Sequence, residues 1–203
     1  MKMKNFYKLF YFCLIIISTS CSTINREFEV LSVAVNQNYN KQECDSMDLL
    51  KNTFKINNSF LKSYLTEKAD IEKGVISTSH VFNWIDKNEK WILSSTDISF
   101  FEKEIQKVNS FRIDIKKIKN GNIKIFLVNE TRYNDAIALN KEITKRITNC
   151  RFFYQYSTPI FNKENTISIL SRKEVLLNQI NYFIYKKVDK NWKLIGFTQL
   201  YSE

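Results

Sequence analysis

The sequence predicts an α+β fold: several helices packed on an antiparallel sheet that ends in a C-terminal four-strand meander. Three observations carry that expectation. Residues 150–201 hold four apolar-aromatic runs, CRFFYQYSTPIF, TISILSR, INYFIYKKV and NWKLIGFTQLY, separated by short polar segments. That spacing suits an antiparallel meander. The preceding part of the chain carries apolar residues three and four apart, the period of amphipathic helices. Finally, 44% hydrophobic and 14% aromatic residues, with one proline and three glycines in 203 residues, can fill one good core and leave no place for a low-complexity segment.

The elements follow in order. Residues 26–39, REFEVLSVAVNQNY, place Phe28, Leu31, Val35 and Tyr39 near helical spacing behind Asn25 as N-cap. Val30, Val33 and Val35 keep a strand as the competing assignment. Residues 40–46 are polar and read as a loop, Asp48–Ile56 as a strand and Ser59–Ala69 as a short helix. His80–Leu93 sets Asp86-Lys87-Asn88-Glu89 between two aromatic-rich arms, a hairpin pattern, with a helix through Trp84 as the alternative. Beyond it, Ile98, Phe101, Ile105 and Val108 step by three and four, which predicts a helix capped by Thr96 or Asp97.

Phe111 to Ile118 alternates apolar and polar, and Lys119-Asn120-Gly121-Asn122 joins it to NIKIFLV. Asn-Gly between alternating runs predicts a hairpin. Ala136, Ile137, Leu139, Ile143 and Ile147 then supply the apolar face of a helix over 134–149. In the closing meander, Pro159 falls near a strand end, where a missing donor is tolerated. The meander is expected to pack the earlier helices on one face.

The amino terminus has a different character. Lys2, Lys4 and Lys8 precede the apolar run Leu9–Ile17, which Ser18, Thr19 and Ser20 interrupt before Cys21. A membrane-spanning helix needs roughly 20 apolar residues; this run has the length of a signal-peptide core, about 7–15. Ser18-Thr19-Ser20-Cys21 resembles the lipobox of bacterial lipoproteins. The usual form has Leu three residues before the cysteine; Ser18 stands there, as in the looser pattern of Bacteroidota-type lipoproteins. The resemblance implies diacylglycerol on the Cys21 thiol and cleavage before it. The expected organisation is a signal peptide over 1–20, a tether over 21–25 and one globular domain over 26–203. The mature protein would be anchored in a membrane of the cell envelope through its lipid.

Losing the signal removes Lys2, Lys4 and Lys8 and no acid, so the formal charge falls from +10 to +7. The remaining excess is carried mostly by lysine, whereas nucleic-acid sites favour the bidentate fork of arginine. No basic run exceeds two residues. A solvated lysine surface is therefore expected, with no nucleic-acid partner. Of four cysteines, Cys13 leaves with the signal and Cys21 takes the lipid. Cys44 and Cys150 remain as a candidate disulfide, closing a loop of about 105 residues, or as two unpaired thiols.

A second resemblance lies at the C-terminus. STPIFNKENTISIL and IYKKVDKNWKLI, with Ser157, Pro159, Ile160, Phe161, Asn191, Trp192 and Lys193, look like the C-terminal part of lipoproteins from the same bacterial group. Many of those carry a Cys/Gly-rich turn where this chain has KEVLLNQ. The resemblance spans roughly a quarter of the chain and implies no activity.

Chemistry is sparse. His80 is the sole histidine, beside Ser77 and Ser79, and no Gly-x-Ser-x-Gly turn exists. One histidine excludes multi-histidine zinc sites, and Gly74, Gly121 and Gly196 stand too far apart for a phosphate-cradling loop. Phe152, Phe153, Tyr154 and Tyr156, or Trp84 and Trp91, could stack on a sugar or a partner; strand alternation favours core positions for them. No catalytic residue, metal ligand or cofactor is assigned. The expected function is contact with an envelope protein or ligand. The alternatives are an envelope hydrolase built from dispersed acids and an immunity-type lipoprotein that neutralises an incoming toxin.

Overall fold

The computed structural model describes residues 26–37, 46–75, 82–85, 87–119, 121, 123–129, 151–175 and 179–201. The expected signal peptide and tether, Cys21, Cys44, Cys150, His80 and the helix expected over 134–149 lie outside these residues.

Helix α1 covers residues 26–37. Its apolar residues Phe28, Leu31, Ala34 and Val35 are buried, so the helical reading wins over the strand. Strand β1 (Ser46–Leu50) is buried along its whole length. Helix α2 (Ser59–Glu72) buries Phe60, Leu61 and Tyr64. Its start is tied to the sheet by Asn57, whose Oδ1 accepts the Ser59 N–H at 3.1 Å and the Tyr182 hydroxyl at 2.9 Å.

Strand β2 is only Asn83–Trp84. Helix α3 (Ser95–Lys107) buries Ile98, Phe101 and Ile105, as their spacing predicts. Its cap is Ser94, two or three residues earlier than expected, in a reciprocal box with Asp97. The remaining strands are β3 (Lys124–Val128), β4 (Arg151–Tyr156), β5 (Ile160–Phe161), β6 (Ile167–Glu174), β7 (Gln179–Val188) and β8 (Asn191–Tyr201).

The class is α+β. One eight-stranded sheet runs β2-β8-β7-β6-β4-β1-β3, with β5 paired to β6 outside that path. Strands β4, β6, β7 and β8 are consecutive antiparallel neighbours, which is the expected four-strand meander. The sheet also has a parallel portion: β1 pairs in parallel with both β3 and β4. A strand between two parallel neighbours is covered on both faces and needs no alternation.

Helices cover both faces of the sheet, where the sequence suggested one. Leu170, Phe183 and Tyr185 share a core with Phe28, Leu31 and Val35 of α1. Ile169, Tyr182 and Ile184, alternating with them along β6 and β7, share a second core with Phe60 and Tyr64 of α2 and Phe101 of α3. Each strand thus buries apolar residues at successive positions, since neither face is left to water. A register shift between Ile184 and Tyr185 leaves Ile195 without an opposite residue in β7. Leu194 and Phe197 therefore both turn to the α1 side while Ile195 joins the α2 and α3 side.

Two expected hairpins do not form. Across His80–Leu93, β2 pairs with β8 (Asn83 to Phe197, Trp84 to Gly196), and Lys87–Glu89 makes a 3-10 turn. Gly196 permits this, because a Cβ there would lie 2.8 Å from Trp84 Cε3. The turn is held to β7 by Glu89, whose two carboxylate oxygens accept from Lys186 Nζ at 2.6 Å.

The hairpin over Phe111–Val128 is replaced by two separate pairings with the chain around β1. Phe111 and Ile113 exchange backbone bonds with Thr53 and Lys51, while β3 pairs in parallel with β1. Asp114 Oδ1 accepts the Lys116 N–H and turns Ile115–Lys117 into a 3-10 helix, which ends the alternating run.

Candidate functional site

Helix α1 presents Glu29, Ser32, Val33 and Asn36 along one stripe, at steps of three, one and three. Opposite them stands the β7–β8 turn. Val188 pairs with Asn191, leaving a two-residue loop of Asp189 and Lys190 with φ of 49° and 67°. Positive φ at both central residues is the type I′ geometry, which matches the twist of the two strands. Asn191 Nδ2 donates to the Asp189 carbonyl at 3.3 Å.

Together with Lys119, Asn191 and Trp192, these walls enclose an open cleft of about 270 Å³. Its construction starts from two side chains of α1. Ser32 Oγ donates to the Phe28 carbonyl at 2.6 Å and accepts the Lys119 N–H at 2.9 Å. Asn36 Nδ2 donates to the carbonyls of Ser32 and Lys119, each at 2.8 Å, and its Oδ1 accepts the Gly121 N–H at 2.9 Å. These bonds hold the backbone of Lys119 and Gly121 against α1.

On the other wall Trp192 is anchored by its Nε1–H, which donates to Glu29 Oε2 at 3.3 Å. Lys187 Nζ lies 3.8 Å from the same oxygen and 5.4 Å from the Trp192 ring centre. Glu29 and Lys187 are both partly exposed, so their attraction contributes at most about 1 kcal/mol. What the trio fixes is position: α1, β7 and β8 meet at one carboxylate.

The aromatic candidates fall elsewhere. Tyr154 and Tyr156 are buried in the core under α1, and Phe153 is buried with Leu50 and Val175. Burial raises the Tyr154 hydroxyl above its ordinary range, against the lowering effect of Arg172. The Arg172 guanidinium lies 4.4 Å from the Tyr154 ring centre and 5.2 Å from that of Phe183. The side chain of Phe152 is not among those described.

Trp84 and Trp91 are half-buried in a cluster with Tyr64 and Phe82, with Trp91 at 5.2 Å from Tyr64 and 5.3 Å from Trp84. Burial pushes the Tyr64 hydroxyl up to about 12, the Leu93 N–H that it accepts acting the other way. These rings are packing partners of one another, as strand alternation suggested for the group.

No known protein family, curated protein or solved structure matches this chain. Among the described residues there is no group of three or more His, Cys, Asp or Glu side chains placed to hold a metal ion. No described helix is long and apolar enough to cross a membrane.

Sequence reasoning missed the cleft. One of its walls was legible: Asp189-Lys190 is a short polar break between the apolar-aromatic runs IYKKV and NWKLI, as expected between meander strands. The other wall was not, because Glu29, Ser32 and Asn36 are the polar side of an amphipathic helix, and nothing local says which strand turn that side will meet.

Proposed function

We propose that this chain is a lipid-anchored protein of the bacterial cell envelope that works by contact, and that the cleft between α1 and the β7–β8 turn is its contact surface. The cleft carries the reading: it is an open, mostly polar concavity whose walls are locked by their own hydrogen bonds. A rigid recess with solvent-facing ends suits recognition of a group presented by another molecule. The anchor rests on the sequence, with three lysines, a short apolar run, Ser18-Thr19-Ser20 and then Cys21. Four residues separate Cys21 from α1, a span of at most about 18 Å when extended. Lipid on Cys21 would thus hold the α1 wall near the membrane surface.

Two measurements test this. Replacing Cys21 with Ser should release the chain from the membrane fraction and abolish the acylated amino terminus in mass spectra. A photo-reactive residue at Val33, inside the cleft, should give a discrete envelope adduct that is absent when the same group is placed at Lys68 on α2. Membrane retention of an unlipidated protein in both forms defeats the anchor; equal labelling from both positions defeats the contact surface.

A further inference from the structure

Most polar groups of the cleft are already used. Ser32 and Asn36 bind the Lys119–Gly121 backbone, Trp192 donates to Glu29, and Asn191 Nδ2 donates to the Asp189 carbonyl. Glu29 is matched by Lys187. Two charges are left over. Lys119 and Lys190 both line the cleft, and neither has an acidic partner among the described residues. The cleft therefore carries a net positive charge in a recess, where field lines concentrate.

The two lysines reach the cleft from opposite walls, and each is fixed by its backbone. Lys119 has both its N–H and its carbonyl bonded to side chains of α1. Lys190 sits at φ 67° in the β7–β8 turn. Glycine or asparagine takes that conformation readily, whereas another L-residue costs roughly 1–2 kcal/mol. A lysine at this position keeps a cation at the cleft mouth at the expense of turn stability, and such strain gathers at functional positions.

Size and lining point to the occupant. About 270 Å³ lies below the range of roughly 300–1,000 Å³ in which small molecules are enclosed. Sugar stacking needs a free ring face, and Trp192 is 5% exposed with Lys187 and Phe161 against it. We infer that the cleft receives an acidic side chain from an exposed loop of a partner protein, its carboxylate held between Lys119 and Lys190. This deepens the contact reading above and rests on it.

The test is calorimetric titration of the full chain in non-ionic detergent at low salt, with hexaglutamate peptide, inorganic sulfate and trigalacturonate as separate probes. Hexaglutamate is expected to bind best, and the Lys119→Ala/Lys190→Gly double variant to weaken it about tenfold, the loss of two partly screened pairs. Lys190→Gly alone should leave the thermal midpoint unchanged or raised, because glycine relieves the positive φ. Single Lys119→Gln and Lys190→Asn variants carry the same comparison if the double variant does not fold, each with weaker peptide binding than the wild type.

No peptide binding by the wild type, equal affinity in the variants, or tighter binding of sulfate or trigalacturonate overturns the inference. Failure of the peptide alongside a discrete adduct from Val33 removes the acidic occupant and leaves the contact reading. Peptide binding without that adduct removes the contact surface in the envelope instead.

Discussion

Ser46, the first residue of β1, stands opposite Arg151, the first residue of β4, in parallel register. Cys44 precedes Ser46 by two positions and Cys150 precedes Arg151 by one, so the chain enters each of these neighbouring strands shortly after a cysteine. Of the two readings of these cysteines, the disulfide predicts a Cys44–Cys150 bond in protein exported to an oxidising compartment. Peptide mapping without reductant should recover the linked pair, and Cys150→Ser should lower stability by about 2–4 kcal/mol. Two freely alkylated thiols in the exported protein would falsify it.

Gly196 is needed for a close approach. With a Cβ 2.8 Å from Trp84 Cε3 and 3.0 Å from Cζ3, Gly196→Ala must displace the indole or open the β2–β8 pairing. The cost should be about 1–3 kcal/mol, as for other overpacked sites. Chemical denaturation with tryptophan fluorescence reads both the stability and the environment of Trp84. A variant as stable as the wild type, with unchanged emission, speaks against this account.

Asp97 links α3 to the β5–β6 turn. Its Oδ2 accepts the Ser94 hydroxyl at 2.6 Å and the Ser94 N–H at 3.1 Å, and its Oδ1 accepts from Asn162 Nδ2 at 3.0 Å. Burial works against the charge, but the Ser94 and Asn162 bonds outweigh it and hold the carboxyl below its ordinary value. A carboxyl favoured in its charged form contributes stability above its unfolded pKa of about 3.9, and that contribution is lost as pH falls through the folded value. Thermal midpoints of the wild type should therefore fall below about pH 4, and the difference from Asp97→Asn should shrink there. A constant difference from pH 7 to pH 2 contradicts the assignment.

Glu67 is 7% exposed on α2, and its two carboxylate oxygens accept the Phe82 N–H at 3.0 and 3.1 Å. This places the chain that leads into β2 over the Phe60 and Tyr64 rings, each within 5.7 Å of Phe82. Glu67→Ala leaves a buried donor without its acceptor and should cost about 1–3 kcal/mol. Glu67→Gln keeps one acceptor and should cost less. A Gln variant that loses as much as the Ala variant in urea denaturation would contradict this account, since Gln retains the volume and one acceptor.

The legible parts of the fold are those closed by neighbours in the chain. Ile98, Phe101 and Ile105 needed only helical periodicity to be read as one buried stripe. The C-terminal runs needed only alternation and short connections to be read as a meander. The Asn-Gly turn failed for a complementary reason. Its local preference for a hairpin was met by stronger tertiary claims on both arms: Ser32 and Asn36 hold the residues before and at Gly121, and β1 takes up β3. Trp84 was ambiguous because its short strand depends on the space left by a glycine more than a hundred residues later.

Beside the lipobox resemblance that motivates the envelope proposal, the sequence by itself determined the α+β class, the positions of α2 and α3, and the order of the C-terminal strands. Each of these follows from periodicity or spacing within a short window, where the backbone's own hydrogen bonds and the alternation of side chains leave few choices. Tertiary structure alone decided that β1 lies in parallel between β3 and β4, that helices cover both faces, and that the polar stripe of α1 meets the β7–β8 turn. Those outcomes join segments far apart in the chain. They are selected by burial of residues such as Met47, Leu49 and Tyr185 from water, a force without direction that no local pattern encodes.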